Sequence, residues 1–220
     1  MKSTTPLIAL LLLSPACSSD DDEGTAGSDV EYQEQVVDGM HSTLLTDVKA
    51  LHDAAVALQA AAPAPTGRGW DATQDAAAIT AMTNAWLDAR AAYERTEGAL
   101  APLFPEIDEA IDARYENFLE GGNGDQDLFD GEGVTGMHGI ERILFVADTP
   151  ATVVAVEASL PGYKAAAWPA TQAEAAAFKN ELAAQLVTDT QTLVDQWQPQ
   201  QIDLEAAFAG LISLMNEQRE

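Results

Sequence analysis

Apolar side chains recur along this chain at spacings of three, four and seven residues, the pattern of an amphipathic α-helix. The first stripe predicts one long helix from Ser28 or Asp29 to about Ala62. It is formed by Val37, Leu44, Val48, Leu51, Ala55 and Leu58. The segment 63–69 contains two prolines and two glycines, so we expect the helix to end before it.

Further stripes of the same period predict helices in the rest of the chain. We expect them over residues 71–101, 106–120, 136–147, 171–197 and 202–215, with one short helix between 150 and 170. Thr171 is the predicted N-cap of its helix. No segment alternates as a strand does, and no longer period repeats. The chain is therefore predicted to be an all-α helical bundle.

The composition agrees with a helical protein that has a sizeable core. Of the 220 residues, 47% are hydrophobic and only 6% are aromatic, which favours helix packing through Ala and Leu. Acidic residues outnumber basic residues by 36 to 10, giving a net charge of −26. This charge repels nucleic acid and attracts cations, so we expect no nucleic-acid partner. Much of the acidic surface serves solubility.

The first residues have the features of an export signal. Lys2 supplies a positive charge, and Pro6–Leu13 form an apolar segment too short to span a bilayer as a helix. The small residues Ser14–Ala16 then precede Cys17, the only cysteine, so an internal disulfide is excluded. The position of Cys17 resembles that of the lipidated cysteine in bacterial lipoproteins.

We therefore predict three parts of the chain. Residues 1–16 are a lipoprotein signal peptide, residues 17–28 are a flexible tether rich in Ser, Asp and Gly, and residues 29–220 are the helical domain. Lipidation of Cys17 anchors the protein to a membrane in the periplasm or cell envelope, and we expect the outer rather than the inner membrane. Simple secretion and an ordinary buried cysteine are the alternatives.

The predicted helix over 136–147 carries two groups that can bind a metal ion. His138 and Glu141 are three residues apart, so they lie on one face of the helix. Thr135 is a plausible N-cap, which places His138 in the first turn. There the helix dipole disfavours imidazolium and leaves a ring nitrogen able to bind a metal ion. Two ligands alone do not define a site.

Other predicted helices supply further carboxylates. Glu94 and Glu97 are again three residues apart, and Asp112 lies on the next helix. Helical bundles build metal sites from such inward-facing groups, and oxygen ligands with one imidazole suit iron, manganese or zinc. The alternative is a solvated face in which Arg90 and Glu94 form an ordinary i,i+4 ion pair.

Three sequence blocks resemble the imelysin-like family, specifically the EfeO/EfeM branch of periplasmic iron-uptake proteins. They are Tyr93–Glu97, Ile111–Arg114 with the downstream Phe118, and Thr135–Phe145. The last block has the Gly-x-His-x-x-Glu motif of the family and its apolar tail. The likeness is clear over about residues 30–150.

The resemblance implies an all-helical, imelysin-like fold of two bundle-like halves with a metal site between helices. The implied ligands are Glu94, Glu97, Asp112, His138 and Glu141. Iron is the expected metal, with zinc or another divalent ion as the alternative, and a membrane iron permease is the expected partner. Relatives usually continue into a segment with a Ser-His-Thr-Asp-like motif that has no counterpart here, so we expect the second half to be incomplete.

The leading hypothesis is an envelope metal-binding lipoprotein of an iron-uptake system, in which Arg90 and Arg114 orient the ligands and no residue is catalytic. A metallopeptidase is a second hypothesis, but zincins use two histidines around a glutamate and this motif has only His138. A polysaccharide-binding module that works through a metal ion is a third. The simplest alternative is a plain helical domain with an ion-pair network.

Overall fold

The computed structural model describes residues 26–112, 128–129, 135–159 and 165–217. All regular structure in these ranges is helical, which confirms the predicted all-α class. The helices are α1 (Ala26–Ala61), α2 (Ala76–Glu94), α3 (Glu97–Leu103), α4 (Pro105–Asp112), α5 (Gly136–Leu144), α6 (Ala151–Glu157), α7 (Gln172–Ala177), α8 (Ala183–Trp197) and α9 (Leu204–Glu217). The predicted signal peptide, Cys17 and Arg114 lie outside the described residues.

Helix α1 follows its predicted stripe closely. Val48, Leu51, Ala55 and Leu58 are completely buried, and the apolar residues nearer the start of the helix are partly buried. The helix begins at Ala26, inside the predicted tether, a difference of the size usual at helix ends. The stripe packs against α2 and α8, so α1 is the long support of the bundle.

The prediction of a single helix over residues 71–101 is wrong near both of its ends. Its first residues form a turn in which the Asp71 carboxylate accepts hydrogen bonds from the backbone of Thr73 and Gln74, and regular helix begins only at Ala76. Asp75 accepts bonds from the Arg68 guanidinium at 2.6 and 2.9 Å. These side-chain hydrogen bonds stabilise a turn in place of the first turn of the predicted helix.

The same predicted helix breaks near its other end, at Arg95 and Thr96, into α2 and α3. Thr96 is completely buried, and both its backbone N–H and its hydroxyl donate to the carbonyl of Tyr93, at 2.7 and 2.8 Å. A three-residue hydrogen bond tightens the chain and ends the α-helical ladder. Glu94 and Glu97 therefore lie on different helices, not on one helical face.

The third predicted helix is described only as α4, up to Asp112, and residues 113–120 lie outside the described part. Helix α5 ends at Leu144, three residues before its predicted end, and α9 is shifted by two residues from its prediction. The short helix expected between 150 and 170 is α6. These differences leave the order of helices as predicted.

The predicted helix over 171–197 is confirmed with one irregularity. Thr171 caps it with Glu174 in a capping box, in which the side chain of each residue accepts a hydrogen bond from the backbone of the other. A π-helical turn, Phe178–Leu182, then joins α7 to α8. At this turn the Lys179 ammonium donates to three carbonyls near the end of α1, and Gln59 donates to the Lys179 carbonyl at 3.2 Å. The turn thus also caps α1.

Buried side chains from α1 to α5 and from the π turn and α8 form one continuous core. The histidines of α1 lie at its edge, as expected: His41 contacts the Trp197 carbonyl at 3.0 Å and His52 contacts the Thr190 hydroxyl at 3.2 Å. Helix α5, which carries His138, packs against the three helices α2, α4 and α8.

No helix in the described ranges is long and apolar enough to cross a membrane. A division into two halves stays a prediction.

Candidate functional site

A glycine determines how closely α5 approaches α4. Gly136 has φ of +74°, and a Cβ atom at this position would lie only 2.6 Å from the Ile111 carbonyl oxygen and 2.8 Å from that of Ala110. A side chain would therefore force the two helices apart. The close approach places the first turn of α5 beside Asp112, the last residue of α4. Thr135 stands at the N-cap position as predicted, but its side chain makes no capping bond among the described residues.

The Trp86 side chain fastens α5 to α2. Its indole nitrogen donates to the Met137 carbonyl at 3.0 Å, and its ring packs edge-on against Phe145 with the ring centroids 5.1 Å apart. Trp86 and Met137 are both buried. The backbone immediately before His138 is thus fixed from α2, while Gly136 fixes it from α4.

Five charged or titratable side chains form a continuous chain of contacts across these helices, which we call the ionic cluster: Glu94, Arg90, Asp112, His138 and Glu141. Arg90 donates to Glu94 at 2.6 Å and also to Asp112. Asp112 lies 3.4 Å from His138 Nε2, and His138 Nδ1 lies 2.8 Å from Glu141. The structure therefore places Asp112, His138 and Glu141 in direct contact and connects Glu94, a fourth predicted ligand, to them through Arg90.

The fifth predicted ligand, Glu97, is half-buried at the start of α3. It is close enough to act electrostatically on Arg90 and on Tyr93. The Arg90 guanidinium lies 5.2 Å from the centre of the Tyr93 ring, a cation–π distance. Glu97 thus belongs to the surroundings of the ionic cluster, although it reaches them from a separate helix.

The ionic cluster does not have the geometry of a loaded metal site. Within the described ranges, no three His, Cys, Asp or Glu side chains converge in a way that could hold a metal ion. The Arg90 guanidinium is the cation that Glu94 and Asp112 share instead. The five-ligand site stays a prediction, and the i,i+4 pair of Arg90 with Glu94, its simpler alternative, is present.

The electrostatics differ from the expectation for a helix start. The hydrogen bond to Glu141 raises the pKa of His138, although burial acts in the opposite direction, and Asp112 adds to the rise. The helix dipole was expected to disfavour imidazolium, but two carboxylates in contact outweigh it. Burial raises the pKa of Asp112 even though Arg90 and His138 oppose that rise.

Asp108 is a residue that the sequence analysis missed. Its carboxylate accepts a hydrogen bond from the Tyr93 hydroxyl at 2.7 Å, and Tyr93 is completely buried. Burial, followed by the charge of Asp112, raises the pKa of Tyr93, so the ring stays neutral. The i,i+4 spacing of Asp108 from Asp112 was the available signal, since it puts both carboxylates on one face of α4.

A cavity of about 420 Å³ opens beside the ionic cluster. Its walls come from α2, α5 and α6 and from the turn between the last two. They are formed by Trp86, Leu87, His138, Glu141, Arg142, Phe145, Asp148, Thr149, Pro150, Val153 and Glu157. His138 and Glu141 belong both to the ionic cluster and to this cavity, so a molecule in the cavity contacts two of the predicted ligands.

Fold and site together define an all-helical protein in which partly buried carboxylates and one imidazole cluster between α2, α4 and α5. The family to which it belongs follows from its sequence. The imelysin family model (Peptidase_M75) matches residues 39–220, and the chain belongs to this family. Comparisons with curated proteins and with solved structures gave no match.

Proposed function

We propose that this imelysin-family protein is an envelope metal-binding lipoprotein of the EfeO/EfeM type, which captures iron and delivers it to a membrane permease. The observation that carries the proposal is the contact of His138 with both Asp112 and Glu141, at 3.4 and 2.8 Å. One imidazole between two carboxylates, on helices held together by Gly136, is the donor set that iron and other borderline ions prefer.

The charge balance of the ionic cluster supports a cation as cargo. The ionic cluster has three carboxyl groups, those of Glu94, Asp112 and Glu141, against the fixed positive charge of Arg90 and the titratable imidazole of His138. Asp112 is mostly buried, with 15% of its side chain exposed, so its charge is costly to maintain. A divalent or ferric ion relieves this cost more fully than the guanidinium does.

Loading requires Arg90 to move. Its guanidinium contacts both Glu94 and Asp112, so an ion can bind these carboxylates only after the guanidinium has released them. The Glu94 pair is half-exposed and therefore weak, and the Asp112 pair provides most of the resistance. Replacing Arg90 by Gln should therefore tighten metal binding and destabilise the free protein. A weaker affinity in Arg90→Gln would show instead that this residue orients the ligands.

Calorimetric titration of the purified protein with Fe²⁺, Fe³⁺ as a soluble chelate, and Zn²⁺ tests the metal site. We expect His138→Ala and Glu141→Ala to abolish the binding, while the control variants His52→Ala and Glu109→Gln retain it. His52 is a part-buried histidine of α1, and Glu109 is an exposed carboxylate of α4. Undiminished affinity in both cluster variants would refute the proposal. Elemental analysis of the protein as purified then identifies the metal.

The lipid anchor has its own test. Cys17→Ser should release the protein from the membrane fraction and abolish incorporation of a labelled fatty acid, because Cys17 is the only cysteine that can be acylated. Separation of inner and outer membranes on a density gradient then shows which membrane holds the native protein. Membrane association unchanged in Cys17→Ser would remove the lipoprotein part of the proposal and leave the metal site untouched.

The name of the matching family model keeps a peptidase as the second candidate. The one observation in its favour is the His138–Glu141 pair, in which an imidazole and a carboxylate lie 2.8 Å apart. A zinc-dependent peptidase needs a third protein ligand and an open position for water. Zinc-dependent cleavage of an unfolded protein, lost in Glu141→Ala and retained in Glu109→Gln, would establish this function. Absence of cleavage with every metal that binds would exclude it.

A further inference from the structure

The cavity beside the ionic cluster has two kinds of wall. One is apolar and comes from Leu87, Phe145 and Val153. Leu87 is 50% exposed and Val153 is 42% exposed, so these two apolar side chains of the cavity wall are open to solvent. A cavity of about 420 Å³ is within the range that binds small organic ligands. A bound ligand with a carbon skeleton would cover this apolar surface.

The other wall is charged, and its guanidinium, that of Arg142, already forms an ion pair. The Arg142 guanidinium contacts Glu157 at 2.5 Å and the Thr149 hydroxyl at 2.5 Å. Little of either charged side chain is exposed, 13% for Arg142 and 7% for Glu157. An anionic ligand at Arg142 would compete with this largely buried ion pair, and disruption of such a pair is unfavourable.

The carboxylates that a ligand can reach are at the more open part of the cavity. Asp148 is exposed, and the Glu141 side chain is 38% exposed while it also contacts His138. The whole chain has a net charge of −26, which raises the local concentration of small cations. The exposed part of the charged wall is therefore acidic, with His138 as the basic side chain beside it.

We propose that this cavity binds a small organic cation, namely a primary ammonium group on an apolar body. The ammonium lies at Glu141 and Asp148, and the carbon skeleton packs against Leu87, Phe145 and Val153. The site does not require a metal ion. Because Glu141 is also a ligand in the proposed metal site, the two cations compete for it, and a bound amine weakens metal binding.

Two probes with one carbon skeleton test the sign of the charge. Phenethylammonium and 3-phenylpropionate are titrated separately into the full chain, with Trp fluorescence and calorimetry as readouts. We expect the ammonium to bind at least tenfold more tightly than the carboxylate, and its affinity to fall when salt is added. Equal or tighter binding of the carboxylate, or no binding of either probe, would overturn the proposal.

Two valines of α6 locate the site. Val153 lines the cavity, whereas Val156 is 64% exposed and does not line it. Val153→Trp fills the cavity and should reduce ammonium affinity more than tenfold, while Val156→Trp leaves it unchanged. Val153→Trp should still bind metal, since it leaves the ionic cluster intact. Unchanged ammonium affinity in Val153→Trp would overturn the cavity site, and a failed metal titration in the unmodified protein would overturn only the metal proposal.

Discussion

Gly136→Ala is the sharpest test of how the site is assembled. Two costs add at this position. The φ of +74° is a left-handed conformation that costs an alanine about 1–2 kcal/mol. The new Cβ would also lie 2.6 and 2.8 Å from two carbonyl oxygens of α4. These atoms belong to the backbone, so no side-chain rotation removes the overlap.

Relief of this overlap requires α5 to move away from α4, and such overpacking costs roughly 1–3 kcal/mol. The expected total is therefore about 2–5 kcal/mol of unfolding free energy. That is a large part of the roughly 5–15 kcal/mol that stabilises a typical domain. The movement also lengthens the 3.4 Å contact between His138 and Asp112, so metal binding should weaken as well.

Urea denaturation followed by far-UV circular dichroism measures the change. The matched control is Gly39→Ala in α1, where an added Cβ would meet nothing within 4 Å. Alanine is the better helix former, so this control should gain about 0.5–1 kcal/mol. An unfolding midpoint of Gly136→Ala equal to that of the unmodified protein would show that the two helices are not held together as described.

Three further predictions concern the support of the site. Lys179→Met should lower the free energy of unfolding, measured by urea denaturation, by about 1–2 kcal/mol, because the ammonium donates to three carbonyls at the end of α1. The same substitution at the exposed Lys49 should change it little. Tyr93→Phe should lower the free energy of unfolding by about 1–2 kcal/mol in the same assay, since it removes the 2.7 Å hydrogen bond to the Asp108 carboxylate. An unchanged free energy of unfolding would mean that this bond does not stabilise the fold. The hydrogen bond from Arg68 lowers the pKa of Asp75 from 3.8 to about 2, so this carboxylate stabilises the fold above pH 4 and the contribution is lost as the pH falls to 2. Asp75→Asn should therefore flatten the pH dependence of stability over that interval, and an unchanged slope would contradict the assignment.

The order of the helices was predictable because burial of an apolar stripe is a local property of the sequence. The stripe of α1 is an example, since residues three and four apart fall on one face whatever they pack against. The cap at Thr171 was predictable for a similar reason: Thr171 and Glu174 satisfy each other's backbone within four residues. Neither feature depends on a distant part of the chain.

The break between α2 and α3 was not predictable from local preference. The residues around it, Glu94 to Glu97, form helices readily with the exception of Thr96. The break exists because the hydroxyl of Thr96, buried by tertiary packing, bonds the Tyr93 carbonyl. Helical periodicity therefore placed Glu94 and Glu97 on one face when they belong to two helices.

The ionic cluster depends on contacts that periodicity does not describe. Arg90 and Asp112 are 22 residues apart, and Asp112 reaches His138 only because Gly136 lets α5 lie against α4. The predicted direction of the His138 pKa shift was wrong because it considered only the helix dipole. The pKa is raised mainly by the hydrogen bond to Glu141, within the same helix, and further by Asp112, which only the fold brings near.

Arg90 explains how the protein tolerates so many carboxylates near one histidine. Removing a partner from a partly buried ion pair leaves an uncompensated charge, so the ionised form of Asp112 depends on a neighbouring cation. The Arg90 guanidinium supplies this positive charge. In the proposed metal site, the free energy needed to break the two Arg90 ion pairs is subtracted from the free energy of metal binding. If the proposed role in iron delivery is correct, this limit on affinity would favour release of the ion to a permease.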